Sequence, residues 1–120
     1  MYGPVASNLV LLGELGECAP GTKVRFLGCV HEYVIQTATL RLKHDYPHSD
    51  APKITNVNIE HVLESIKRTA VDVGAWINVI GYVERRNETG IFVQAVAVWD
   101  AGNVDLEAYE QAVEKRKESG

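Results

Sequence analysis

The residues of this 120-residue chain that come nearest to a metal-ligand pattern are His44, Asp45, His48 and Asp50, in the run "HDYPHSD". Imidazole and carboxylate donors suit zinc and related ions, but specific zinc sites show tighter spacing. Here Pro47 interrupts the run and no cysteine joins it, so it reads as a polar loop that binds no metal. No nucleophile elbow, phosphate-cradling glycine loop or metalloprotease helix occurs. Gly74 and Gly81 in "VGAWINVIGYVE" are too far apart for a dinucleotide fingerprint and sit in a strand pattern. Asp72, Asp100 and the glutamates are scattered, so no acid–base pair is defined. The chain reads as a non-enzyme without a cofactor.

A second kind of chemistry is better represented. Single-stranded nucleic acid is held by cations that track phosphates and by aromatic rings on which bases stack. Tyr33 is expected in a loop between the first two strands, and Arg85 and Arg86 open a later hairpin loop. Arg41 and Lys43 project from the polar face of a strand, with His44 and Tyr46 just beyond. A stacked base contributes ~1–3 kcal/mol, so these groups make a weak site. Other readings stand beside this one: Arg85 and Arg86 as a solvated hairpin tip paired with Glu84 and Glu88, and Tyr33 as a half-buried barrel tyrosine. The formal net charge is -4, with 16 acidic residues against 12 Lys and Arg. That balance excludes binding by bulk charge; any nucleic-acid contact must be local or shared with a partner.

The elements that must position these groups follow from pattern. The length suits one domain with a single core, and 46% hydrophobic with 23% charged residues is an ordinary globular composition. Cys18 and Cys29 lack zinc or redox spacing, which suits a reducing compartment. No apolar run approaches the ~18 residues of a membrane span, so no membrane association is expected. The opening "MYGPVASNLVLLGELGE" has no basic leader and reads as a partly extended N-terminal arm, residues 1–21.

Beyond the turn signal at 19–21, Val24, Phe26, Gly28 and Val30 share one face of a strand, which bends near "HEYVIQT". Leu40 and Leu42 alternate with Thr39, Arg41 and Lys43, and Thr55, Val57 and Ile59 share a face in the next run. In "HVLESIKRTAV" the spacing of Val62, Leu63, Ile66 and Ala70 predicts a short helix. Two further strands flank "RNETG", where Gly90 supplies the turn. In the first of these, Ile77, Val79, Gly81 and Val83 share one face, while Trp76, Ile80 and Tyr82 make the other face apolar too. A strand apolar on both sides must be covered on both sides.

The order predicts a mainly β fold: a single OB-fold, five-stranded antiparallel barrel over 22–100, with a short helix between strands 3 and 4. Gly28 suits the bend by which the first strand serves both halves of the barrel. A C-terminal α-helix follows in 101–120. There, "NVDLEAYEQAVEKRK" offers Asn103 as N-cap, acids in the first turn and bases in the last. Its stripe is Leu106, Tyr109 and Val113, flanked by Ala112. A helix of this length is marginal alone. It either plugs its own barrel or meets a partner's helix, with Trp76, Ile80 and Tyr82 as adjoining partner surface.

The stretches "KVRFLGCVHEY", "TLRLKH", "VNIEHVLESI", "VGAWINVIGYVE" and "LEAYEQAVEKR" occur in the order and spacing of the Ten-one family. That family supplies the smallest subunit of the CST (Ctc/Cdc-thirteen, Stn-one, Ten-one) telomere-capping complex. The resemblance runs over about 12–117, strongest at Arg25-x-x-Gly28, at 74–83 and at "EQAVEKR". The smallest subunit of replication protein A has a similar architecture and gives the alternative, an assembly subunit with no DNA contact of its own. The family resemblance implies a one-to-one heterodimer with the N-terminal OB domain of Stn-one through C-terminal helices and neighbouring barrel surface. It further implies a third subunit of Ctc/Cdc-thirteen type, single-stranded telomeric DNA as ligand, assistance to DNA polymerase α–primase, and a place in the nucleus at the chromosome end. Carried onto this sequence, Leu106, Tyr109 and Val113 become helix contacts and Arg25 a DNA-contact residue. Ending at Ser119-Gly120, the chain is expected to lack the basic, aromatic tail of the family's longer versions.

Overall fold

The strand β2 (Lys23–Val34) closes the barrel. Residues 23–29 pair antiparallel with β5 (Trp76–Val83), and residues 29–34 pair antiparallel with β3 (Thr39–Lys43). From β3 the sheet continues antiparallel to β4 (Ile54–Asn58), parallel to β6 (Ile91–Asp100), and antiparallel back to β5. This is the five-strand closed circuit of an OB barrel. A sixth, two-residue strand, β1 (Asn8–Leu9), adds in parallel to β2. The computed structural model describes residues 7–48, 53–84 and 91–119, the last three by backbone alone. The expected hairpin tip with Arg85, Arg86, Glu88 and Gly90, and the loop residue Asp50, lie outside the described residues.

The alternation of apolar residues places the interior. Val24, Phe26 and Val30 of β2, Leu40 and Leu42 of β3, Val57 of β4, Ile77, Val79 and Val83 of β5, and Val93 and Ala95 of β6 are fully buried in one cluster. Gly28 lies close against this cluster. A Cβ there would stand 3.0 Å from Leu42 Cβ and 3.1 Å from Leu12 Cδ1, closer than ordinary packing allows.

Four local readings are corrected. The arm is not merely extended: a 3₁₀ helix at Leu12–Glu17 buries Leu12 and Leu15 completely in the barrel cluster. Its start is fixed by the Glu14 carboxylate, which accepts from the Leu11 N–H at 2.9 Å. The expected helix between strands 3 and 4 is two 3₁₀ turns, Glu60–Val62 and Arg68–Val71. Val62 and Ala70 do reach the core and Ile66 packs against it, but Leu63 is exposed. A helix this short has little stability of its own, so the end of the barrel dictates its shape. The strand β2 also runs on through "HEYV". A register shift between Val30 and Glu32 sets two residues against one of β3, and this turns Tyr33 onto Leu40 and the core side. The turn comes later, at Ile35–Thr37. Finally, α1 (Leu106–Ser119) begins three residues beyond Asn103, and Asp105 is its cap, accepting from the Ala108 N–H at 3.0 Å.

Because Leu15 closes the barrel, Leu15→Ala is expected to cost about 2–4 kcal/mol in a denaturant titration, the range for a large-to-small core change. A loss below roughly 0.5 kcal/mol, the ordinary surface value, would return 12–17 to the status of a solvated arm.

Candidate functional site

The bottom of the barrel is occupied by Leu12 and Leu15, and α1 lies instead on the outside. The outer side of β2 carries Arg25, Leu27 and Cys29, opposite Ile80, Asn78 and Trp76 of β5. Leu11, Leu27 and Val113 are fully or nearly fully buried, yet stand apart from the interior cluster. The helix therefore covers part of the second apolar face, the one that needed a cover. Of its stripe, Val113 has no exposed surface, Leu106 and Tyr109 are half-buried, and Ala112 is exposed. Val113, expected to touch a partner, is taken up by the chain's own barrel.

His44 and Glu110 bind the helix to that face. His44 follows β3 and is buried; its Nε2 stands 2.7 Å from Glu110 Oε2. The ring meets Trp76 edge-on at 5.3 Å, stacks on Tyr46 at 6.2 Å and faces Tyr109 at 6.2 Å. The polar-loop reading of "HDYPHSD" is thereby sharpened. His44 turns inward, while His48 stays exposed with Nδ1 2.8 Å from Asp45 Oδ2. Among the described residues no metal-ligating group of three assembles.

Tyr109 sits where helix and barrel meet. Burial pushes its hydroxyl up from the ordinary tyrosine value of 10.0; the Leu27 backbone and the Arg25 charge oppose the rise, and Glu14 adds to it. The hydroxyl is buried and, though close to the Leu27 backbone, makes no hydrogen bond of full geometry. On the same face, burial raises the Cys29 thiol, with Lys43 opposing.

The rest of the outer face is uncovered. Tyr82 is 37% exposed, Val96 46% and Trp99 38%, with Ile80 half-buried among them. The guanidinium of Arg25 lies over the Trp99 ring at 5.4 Å, and Lys23 Nζ over Tyr82 at 6.0 Å. Arg25 thus lies over Trp99 of the sheet, and its charge also reaches Tyr109 of the helix. Val96 and Trp99 were not singled out from sequence. They are three apart, so a regular strand would put them on opposite faces. The register shift opposite Ile80 and Gly81 brings both outward. Beyond Trp99, a groove lined by Ser65, Lys67, Ala70, Val98, Trp99 and Asp100 extends the face.

The expected nucleic-acid residues are dispersed. Arg41 is paired with Glu32 at 3.2 Å, Lys43 is exposed at the end of β3, and Tyr33 packs on the core. Arg25 is engaged with Trp99 instead. Arg85 and Arg86 lie outside the described residues.

Residues 1–114 match the family model Ten1, described as telomere capping, CST complex subunit. Protein ten1 of Schizosaccharomyces pombe is 27% identical over 112 residues, spanning 93% of this chain and 95% of that protein. A chain in the crystal structure of the S. pombe Stn1–ten1 complex superimposes with a TM-score of 0.78 at 24% identity, over 98% of each chain. The hypothetical protein ygiW of E. coli does so at 0.56 and 14% identity, over 83% of this chain and all of that one. At these identities the structural likenesses establish the fold.

A hydroxyl whose proton is held more tightly folded than unfolded contributes stability that is complete below the unfolded value and lost as pH rises through the folded one. The protection of α1 amides relative to their intrinsic exchange rates is therefore expected to fall as pH rises above 10.0, and Tyr109→Phe to shift that onset upward. An onset identical in both chains would show that Tyr109 does not govern the seam.

Proposed function

This chain belongs to the Ten1 (Ten-one) family of telomere-capping CST-complex subunits, and from that premise we propose that it works as a non-enzymatic pairing subunit. Its partner is the N-terminal OB domain of an Stn1-type protein, taken one-to-one on the outer face of β5 and β6 and the exposed side of α1. The observation that carries this reading is the uncovered patch of Tyr82, Val96 and Trp99 beside a helix that already covers part of the same face. Contiguous exposed apolar surface on a soluble domain marks an interaction site. Aromatic side chains with arginine beside them are the usual anchors of such contacts. The S. pombe Stn1–ten1 complex supports the choice of partner. Leu106, Tyr109, Ala112, Ile80 and Tyr82 belong to this surface, joined by Val96 and Trp99. Trp76 and Val113 act beneath it, as supports.

Through the pair, the chain joins a third subunit of Ctc/Cdc-thirteen type at the chromosome end in the nucleus, where it serves end protection and fill-in by DNA polymerase α–primase. Its own contribution to single-stranded telomeric DNA is small. Arg41 and Lys43, with Tyr33 and the tip residues Arg85 and Arg86, supply local cations and rings on a chain of net charge -4, and Arg25 borders the partner surface. The DNA affinity therefore belongs to the pair.

Native mass spectrometry of the chain with an Stn1-type OB domain is expected to show a one-to-one species. Trp99→Ala should weaken it about tenfold or more, the effect of losing an interface anchor, while the melting temperature of the free chain changes little. Equal affinity for Trp99→Ala, Val96→Asp and the parent chain would refute the assigned face. For DNA, Lys43→Ala in the pair should reduce the slope of log affinity against log salt by roughly 0.7. An unchanged slope would favour a structural subunit without DNA contact.

A further inference from the structure

We propose that His44 and Glu110 form a clasp that fixes the rotation and register of α1 on the barrel, making them positioning residues for the partner-facing side of the helix. The inference rests on the reading of α1 as a partner element. The need for such a device follows from how the helix is seated. Its stripe is narrow, with Val113 alone completely buried and Leu106 and Tyr109 half-buried. Apolar contact is non-directional, so a stripe of this width leaves rotation and sliding weakly specified. A hydrogen bond at 2.7 Å between His44 Nε2 and Glu110 Oε2 is directional, and it joins residues 66 apart in sequence.

The surroundings show that the histidine is held for this task. Its side chain is 3% exposed and that of Glu110 18%. Trp76, Tyr46 and Tyr109 surround the ring, fixing the direction in which Nε2 points. Nδ1 is buried without a partner, so the ring spends its hydrogen bonding on Glu110. In the neutral imidazole, Nε2–H donates to the carboxylate. Glu110 and Val113 lie one turn apart on the docked side, which turns Ala108 and Ala112, at i and i+4, outward; both are exposed. Two small residues on that side let a partner's helix approach closely. A rotation of α1 would replace them with the flanking charged residues Glu107 and Glu114.

The test uses the full chain with His44→Phe, which keeps a ring of similar size, Glu110→Ala, and His44→Gln, whose amide N–H can stand in for Nε2–H. Hydrogen exchange of the free chain is read first. In His44→Phe and Glu110→Ala, α1 amides should exchange about tenfold faster or more, while β2 and β5 amides keep their protection. His44→Gln should restore much of the difference. Association with an Stn1-type OB domain is read second and should weaken by a similar factor, since only the correctly seated fraction binds. Unchanged α1 exchange overturns the clasp, and so does protection lost equally from α1 and the barrel, which would make His44 an ordinary packing residue. Faster α1 exchange with undiminished partner affinity refutes positioning. If the parent chain does not bind the OB domain at all, the partner reading fails, and α1 exchange still decides whether the clasp exists.

Discussion

The pairing of β2 with β5 is the constraint on which the rest of this molecule depends. Residues 23–29 run against residues 82–76 in unbroken register, so each strand presents two faces side by side. Inward, Val24, Phe26, Ile77 and Val79 fill the barrel. Outward, the same pairing sets Arg25 beside Ile80 and Cys29 beside Trp76. The interior is completed by the chain itself, with Leu12 and Leu15 brought in by the N-terminal 3₁₀ helix. The exterior is not. The helix α1 covers part of it, and Tyr82, Val96 and Trp99 remain open. The division of labour between folding and assembly is thus set by one ladder of hydrogen bonds.

The seat of α1 is itself balanced between favourable and unfavourable contacts. Burying Val113 stabilises docking by roughly 1.5–3 kcal/mol, and the Glu110–His44 hydrogen bond adds direction. Against this stands a buried polar atom without a partner, His44 Nδ1, which costs about 1–3 kcal/mol when left unsatisfied. The terms are of similar size. A 14-residue helix with so small a margin is suited to finishing its stabilisation against another chain. A helix that closed its own barrel would bury far more of its stripe.

What could be read in the sequence follows the physics of each element. Long strands with strict alternation, such as 23–30 and 76–83, state their inner faces directly, because one face is buried in a continuous core. So does the order of elements, which specified the OB barrel. The misreadings occur where period 2 is broken by one residue. The bulge at Val30/Glu32 sets Tyr33 on the core side, as the half-buried barrel reading had it and the loop reading did not, and the shift at Ile80/Gly81 hid Val96 and Trp99 from any parity rule. Short segments were the other weakness. In "LVLLGELGE" and "HVLESIKRTAV" the conformation is dictated by the barrel ends they close, which local pattern does not contain. The clasp was invisible for a related reason: His44 and Glu110 are 66 residues apart, and only the closed barrel brings them together.

The same geometry explains why an acidic chain can serve in a DNA-end complex. With 16 acids against 12 Lys and Arg, it cannot gather enough phosphates to bind alone by counterion release. Of its candidate cations, Arg25 lies over Trp99 and Arg41 is held by Glu32. On the proposed function, such an OB subunit uses its aromatic face for protein contact, and the DNA-binding charge comes mainly from the partner. On that proposal, pairing precedes DNA capture in the order of dependence. In that proposal Trp99 acts on the DNA only through the second subunit, whereas Lys43 contributes one local cation to an intact pair.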